Sequence, residues 1–600
     1  MLRAGGSSCY DSAYLLTTFG GATVPKARFI NPACAASLLW LLHGLSAPAL
    51  AQDASAPAEA AAPPSQPAAE PERTLTIDAY DIVGNSVLDQ VSIEDAVYPY
   101  LGPDRTDADV DKARAALEDA YKKKGYETVV VVLPPQDASN GVIRLEVVEA
   151  KIGRVRVVGA KYTAPSKIRN EIPSFAEGQV PNFRQLEKET AELNRSPDRQ
   201  GTPLLKPGRV PGTFDVDIKV EEKFPLHFDV EVNNDHNNGT DPIRLNASLR
   251  YTNLFQLGHT IAFTYAVAPK QRSDTEAFSG TYSAPIWDTP WSILLIGRTS
   301  NTETAALGGV DVLSNGFEVG VRGIRILPQF GSFSHSFTFG FDYKNSKEDT
   351  VIGDADPLQA PIRYWPVSAS YTLQHNTENA QASATIGVTA GIRGLGSGVN
   401  EFQGFTPRCA VIPVPNDCTP NEIAQDQANA RDGRRAFSEP NFVVASLGAD
   451  YTRNLGNDWL TFVRLNGQYS NGPLIPSEQF SSGGLSTVRG YLTSELTGDD
   501  GFQGSLEFRT PSFGSALYDP LGRNIDQLRL FAFVDGALTR RRRALPGEDR
   551  QGSLGSAGGG FLVDLFGVIQ SNLVVAIPFI DGAVSQSGDP RFTFSVRAEF

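Results

Sequence analysis

Long apolar runs are missing from this chain of 600 residues. No segment approaches the ~18 consecutive apolar residues that mark a spanning helix, and the mean hydropathy, −0.21, is that of a soluble protein. A helical membrane protein is excluded, but a transmembrane β-barrel is not, because only alternate residues of its strands face lipid. Basic residues are also in short supply. The 53 Lys and Arg against 68 Asp and Glu give a net charge of −15, which argues against a nucleic-acid partner, since nucleic acid selects a basic face. Methionine occurs once and glycine 56 times, the usage of a turn-rich β protein. Beyond the leader, His227, His236, His259, His335 and His375 are scattered, with no H-E-x-x-H pattern. No nucleotide motif and no nucleophile set beside a base stand out, so neither an enzyme nor a cofactor or metal is expected.

Cysteine is scarce too. Of the 4 in the chain, Cys9 and Cys34 fall in the leader, leaving Cys409 and Cys418 in CAVIPVPNDC. A zinc site would call for histidine nearby and there is none, so the two read as a disulfide in an exported chain. Export itself is written at the N-terminus. Lys26 and Arg28 precede the apolar run CAASLLWLL, and Ala49-Leu50-Ala51 offers an A-x-A cleavage site, giving a signal peptide over 1–51. A start at Val24 would leave a leader of ordinary length. Residues 52–73 form a Pro/Ala-rich linker, with five prolines between 53 and 73.

Two similar blocks follow, 74–149 and 150–222. The first reads as a strand (75–84), a short helix, a longer helix with Val110, Leu117 and Tyr121 on one face, and two strands around Asn140-Gly141. The second repeats that β-α-α-β-β order, which points to a duplicated unit. From 223 to 600 the helical pattern is replaced by period-two segments. In RFTFSVRAEF, Phe592, Phe594, Val596, Ala598 and Phe600 oppose Thr593, Ser595, Arg597 and Glu599. A soluble sandwich also alternates, but here the second face is repeatedly charged, as a wet lumen requires. Sixteen such segments, from 223–234 to 590–600, allow an antiparallel sheet to close without a free edge. The fold expected is a membrane all-β protein: a 16-stranded antiparallel transmembrane β-barrel preceded by two α+β domains.

Between the eleventh and twelfth segments lies a long polar loop, 471–501, with Arg489 near its middle. The thirteenth segment, QLRLFAFVDGALTR, sets Asp535 on its charged face beside Phe531 and Phe533. A carboxylate inside a barrel wants a cation, and a guanidinium fork suits it. Val488-Arg489-Gly490-Tyr491 resembles the V-R-G-[YF] motif of the loop inserted in outer-membrane assembly and secretion barrels, and Phe533-Val534-Asp535 resembles its F-x-D wall partner. The two blocks resemble POTRA domains. LNRSPDRQGTPLLKPGRVPGTFDVDIKVEE (193–222) and RLNASLRYTNLFQLGHTIAFTYAVAP (244–269) resemble the two-partner secretion branch, TpsB, of the hemolysin secretion/activation type.

The resemblance implies an in-folded loop whose arginine pairs with the wall carboxylate. It also implies an outer-membrane translocase whose periplasmic POTRA domains recruit an unfolded secreted exoprotein. A terminal Phe600 resembles the insertion signal read by the outer-membrane assembly machinery. The chain departs from the family at Ala537, where a second glycine is usual, and at residues 53–73, which are too proline-rich for the N-terminal helix that plugs the pore in several members. Besides membrane lipid, lipopolysaccharide phosphates are a candidate partner for Arg540–Arg543. The hairpin NNDHNNGT (233–240) is read as a surface turn. The competing readings are an assembly factor or insertase, which would carry three or more POTRA units, and a passive porin, which needs none.

Overall fold

The computed structural model describes residues 74–600 apart from 287–288, 302–304, 308–309, 313–315, 351–357, 404–416, 424–434, 436, 517–524 and 545–547. The expected leader and linker lie outside the described residues, as does Cys409. The chain divides after Phe224 into two compact units.

The first unit contains two modules. One runs β1 (Leu75–Ile77), β2 (Ala79–Val83), α1 (Gln90–Val97), β3 (Gly102–Arg105), α2 (Asp107–Lys123), β4 (Val130–Val132) and β5 (Val142–Val148). The other runs β6 (Lys151–Val158), α3 (Pro165–Asn170), α4 (Phe183–Leu193), β7 (Arg199–Pro207) and β8 (Thr213–Glu222). Each builds a three-stranded sheet, β2-β5-β4 and β6-β8-β7. In both, the opening strand lies parallel to the last and the penultimate strand antiparallel to it. The shared order is what duplication of one unit produces. The strand expected over 75–84 is broken at Asp78, because its N–H and that of Ala79 turn to the Gly141 carbonyl (2.8 and 3.3 Å). The segment before the break pairs with β3 instead.

α1 is capped by Asp89, which accepts from the Ser92 N–H and hydroxyl, both at 2.9 Å. Those bonds hold its carboxyl down to about 2. α2 opens in a Thr106/Asp109 capping box and buries Val110, Ala113, Leu117 and Tyr121 along one stripe. That stripe closes a core with Ile93, Val131, Ile143, Leu145 and Val147. The second core gathers Ile152, Ile168, Phe175, Leu186, Leu193, Val216 and Ile218.

The modules are joined by more than their connecting strand. Val180, from the second, is buried in the first core. Asn182 Nδ2 donates to the Lys124 carbonyl (3.0 Å), Arg184 Nη2 to that of Lys123 (2.6 Å), and the Phe183 N–H to that of Gly125 (2.8 Å). These carbonyls belong to the end of α2, where helical partners run out. The other end of the same amide, Asn182 Oδ1, accepts the Gln185 N–H at 3.1 Å and caps α4. Gly125 has φ +98°, and a Cβ there would stand 2.5 Å from Asn182 Oδ1, so only glycine permits the approach.

The second unit is a closed antiparallel barrel of sixteen strands. They are Leu226–Asn233, Arg244–Leu254, His259–Val267, Glu276–Pro285, Trp291–Ser300, Gly316–Phe330, Phe333–Thr350 and Leu358–Asn376. The remainder are Ala380–Gly396, Val443–Gly456, Trp459–Ser470, Asp500–Arg509, Gln527–Arg540, Gln551–Leu565, Ile569–Pro578 and Arg591–Glu599. Each strand pairs with its sequence neighbours, and the last closes on the first from Ser595↔Asn233 to Glu599↔Asp229. Alternation sorts the faces: Leu530, Val534 and Leu538 are exposed while Arg529, Phe531, Phe533 and Asp535 are buried. The inner face carries ion pairs such as Arg464–Asp450 (2.9 Å) and Arg597–Asp229 (3.0 Å). Among the described residues no helix is long and apolar enough to cross a membrane.

Candidate functional site: a loop folded into the barrel

Residues 471–499 connect Trp459–Ser470 to Asp500–Arg509, and within them Phe480–Ser482 pairs with Leu496–Gly498. That ladder gathers the two arms of the loop and presents 483–495 to the inner wall. Arg489 Nε and Nη2 donate to the two oxygens of Asp535 at 2.7 and 2.8 Å, and the Arg489 backbone N–H adds a third bond at 3.0 Å. Nη1 donates to Glu507, and Nη2 also reaches Ser505 Oγ at 3.0 Å. The guanidinium carbon lies 3.4 Å from the Phe533 ring centroid, a stacked cation–π contact. Ser505 donates to Asp535 (2.6 Å) and Arg509 to Glu507 (2.6 Å). Two guanidinium groups thus meet two carboxylates, so the buried cluster is charge-balanced and its donors are directed.

The neighbouring residues of the motif fix the arginine's position. Val488 is fully buried against Ala537 and Leu554, so the methyl of Ala537 packs against the loop. Gly490 has φ +95° and lies against the wall, a Cβ there falling 3.2 Å from that of Ala576. The Tyr491 hydroxyl lies 2.7 Å from the carbonyl oxygens of both Gly555 and Ile580, and accepts the Gly555 N–H at 3.0 Å. Phe533 has room because its cross-strand neighbour is Gly558, where a Cβ would stand 2.7 Å from the ring.

Three further anchors hold the loop. Glu478 accepts from Lys344 Nζ (2.7 Å) and the Tyr364 hydroxyl (2.6 Å) on the wall. Glu495 accepts the N–H groups of Val584 and Ser585 at 2.8 and 2.7 Å. Asp235, in the NNDHNNGT hairpin, accepts the Leu485 N–H (3.0 Å) and the Thr493 hydroxyl (2.9 Å). That hairpin is therefore bonded to the loop rather than being a surface turn alone. Phe402, in the connection between Ala380–Gly396 and Val443–Gly456, is buried with Tyr364, Leu474 and Ile475. Arg540 and Arg542, expected toward lipopolysaccharide, both pair with Asp500 (2.6 and 3.0 Å). Cys418 is disulfide-bonded. Phe600 exchanges backbone hydrogen bonds with Phe228 (2.8 and 3.1 Å) and stacks on its ring, at the seam between last and first strands.

Glu507 and Ser505 went unnoticed in the sequence, although DGFQGSLEFR alternates Gln503, Ser505, Glu507 and Arg509 onto one face. Asp235 and Glu478 carry no comparable signal, since only the folded loop brings them to their partners.

The chain thus combines a closed barrel, an arginine-clamped loop in its lumen and two β-α-α-β-β modules, the architecture of a POTRA-bearing barrel. Residues 212–560 match the family described as haemolysin secretion/activation protein ShlB/FhaC/HecB, and residues 75–150 match the ShlB-type POTRA domain. The chain belongs to this family, and its barrel is an outer-membrane barrel. It is 26% identical over 395 residues to the outer membrane transporter CdiB of Dickeya dadantii (strain 3937), covering 64% of this chain and 62% of that protein's length. To the heme/hemopexin transporter protein HuxB of Haemophilus influenzae it is 21% identical over 424–426 residues, 68% of this chain and 67% of the relative. The structure of CdiB from Escherichia coli shares the fold, with a TM-score of 0.57 at 18% identity over 90% of this chain and 92% of that one.

Proposed function

We propose that the protein is the transporter of a two-partner secretion pair, carrying an unfolded partner exoprotein from the periplasm to the cell surface. In this reading the two modules lie in the periplasm and receive the cargo's N-terminal region. Their sheets leave β2, β4, β6 and β7 as edges, and main-chain bonding at such an edge binds an extended chain with little demand on its sequence. The cargo then crosses the barrel and folds outside, which supplies direction without a catalytic step. The observation that carries the reading is the clamp on Arg489. A loop held by side-chain clamps, with Arg489 between Asp535 and Glu507 at their centre and further anchors at Glu478, Glu495 and Asp235, can leave the lumen while the wall's backbone ladder stays intact. Co-expression with the exoprotein encoded beside it should place that exoprotein in the medium. Its retention in the periplasm despite an inserted barrel rejects the reading, and a general fall in unrelated outer-membrane proteins on depletion favours an assembly factor instead.

Partners at the barrel surface belong to the same proposal. Membrane lipid covers the apolar face, lipopolysaccharide meets the outer rim, and the assembly machinery reads Phe600. Deleting Phe600 removes the last ladder bonds and the Phe228 stack at the seam. The amount of heat-modifiable barrel in the membrane should then fall severalfold. Unchanged insertion would remove Phe600 from this role. The Cys409–Cys418 bridge is dispensable in this account, because the barrel already holds the strands on either side of it.

A further inference from the structure

The wall has a second feature, on its outside. Ala382, Ala384 and Ala449 floor a shallow cavity of about 210 Å³ whose sides include Phe333, Leu373 and Tyr451. The register places His375–Ala382–Tyr451–Val463 in one row across four strands and Leu373–Ala384–Ala449–Leu465 in the next. These positions share the parity of Ile386, Val388, Leu447 and Tyr469, all exposed on the outer face. The small side chains leave a dent in the surface that meets acyl chains.

Its height is set by the rim. The dent lies beside the tight turns at 331–332, 377–379 and 457–458, and short turns mark the periplasmic end of such barrels. Phe330, Phe333 and His375 stack in series there, with centroids 5.2 and 4.4 Å apart, as an aromatic girdle does at the headgroup level. One residue pair below the dent, about 7 Å along the strand, the outward row is Ala380–Arg453–Thr461. Arg453 is exposed, and among the described residues it has no ion-pair partner.

We propose that this is a seat for a single glycerophospholipid of the periplasmic leaflet: one acyl chain lies over Ala382, Ala384 and Ala449, and Arg453 holds the phosphate. The apolar floor and the unpaired guanidinium at headgroup height are complementary to the two ends of that molecule. A free phosphate would engage only Arg453, and a second copy of this chain would leave that charge against an apolar wall.

The test titrates the delipidated, detergent-purified full chain with palmitoyl-oleoyl phosphatidylglycerol and counts retained lipid by native mass spectrometry. One lipid should persist above the statistical adduct distribution. Ala384→Phe, which fills the dent from the outer face, should abolish that species. Arg453→Gln should weaken its retention about fivefold, the value of one basic residue at an anionic lipid surface. Val575→Phe, elsewhere on the lipid face, should leave it unchanged, and heat-modifiability reports folding of all three. Equal retention in Ala384→Phe or Arg453→Gln overturns the proposal. So does retention of inorganic phosphate at Arg453 without lipid, or a dimer that Ala384→Phe dissociates.

Discussion

Arg489→Ala is expected to cut export of the partner to about a tenth or less while the barrel still assembles. Removing one member of a buried ionic cluster typically costs ~3–5 kcal/mol, and about 1.4 kcal/mol is a factor of ten in an equilibrium. The docked state of the loop therefore loses two decades or more of its advantage. The geometry also orders the variants. Arg489→Ala leaves Asp535 without its cation and Glu507 with Arg509 alone, whereas Asp535→Ala leaves Arg489 bonded to Glu507. Asp535→Ala should thus be the milder, and the double variant no worse than Arg489→Ala alone. Arg489→Lys keeps the charge but lacks the fork that reaches two carboxylates and covers Phe533, so it should fall between. Export and heat-modifiability measured across the set decide the matter. Fully additive defects would show that the two side chains act independently.

Deleting residues 74–149 should abolish export and leave a pore that conducts ions in planar bilayers. The cut removes α2, and with it the carbonyls that Asn182 and Arg184 bond and the core that buries Val180. The second module keeps its own core around Ile152, Phe175 and Ile218, and the barrel is a separate compact unit. The loss should therefore be confined to cargo capture. As a complementary measurement, a fragment of residues 74–222 should bind the N-terminal region of the unfolded partner at modest affinity, since ordering that partner consumes part of the interaction energy. Normal export by the deletion variant rejects recruitment by this module.

Much of this architecture is legible in the sequence because the barrel's constraint is local and repeated. Lipid on one face and water on the other force alternation in every strand, and the sixteen alternating segments correspond to the sixteen strands. The stripe Val110, Leu117 and Tyr121 is legible for the same reason, with a period near 3.6. Arg489 and Asp535 could be paired because an isolated cation and an inward carboxylate each lack a local partner. Glu507 was missed because a carboxylate two residues from Arg509 already looks satisfied. The Asp235 and Glu478 anchors depend on where a thirty-residue loop turns inside a cavity, and no periodicity encodes that. The break at Asp78 turns on one carbonyl, Gly141, more than sixty residues away.

The amide of Asn182 closes the end of one helix and opens another in a different module. A cap of this kind is worth about 0.5–2 kcal/mol, and of the bonds this amide makes, the one from Asn182 to Lys124 spans the two modules. Rotating the first module away from the second would strip the carbonyls of Lys123, Lys124 and Gly125 of their donors in one event and draw Val180 out of its core, while Asn182 keeps its cap on α4. The pair therefore behaves as a stiff lever with one hinge fewer than its two modules would suggest. Were the proposed cargo held at the first module, a pull on it would be delivered to the second as displacement rather than absorbed as bending.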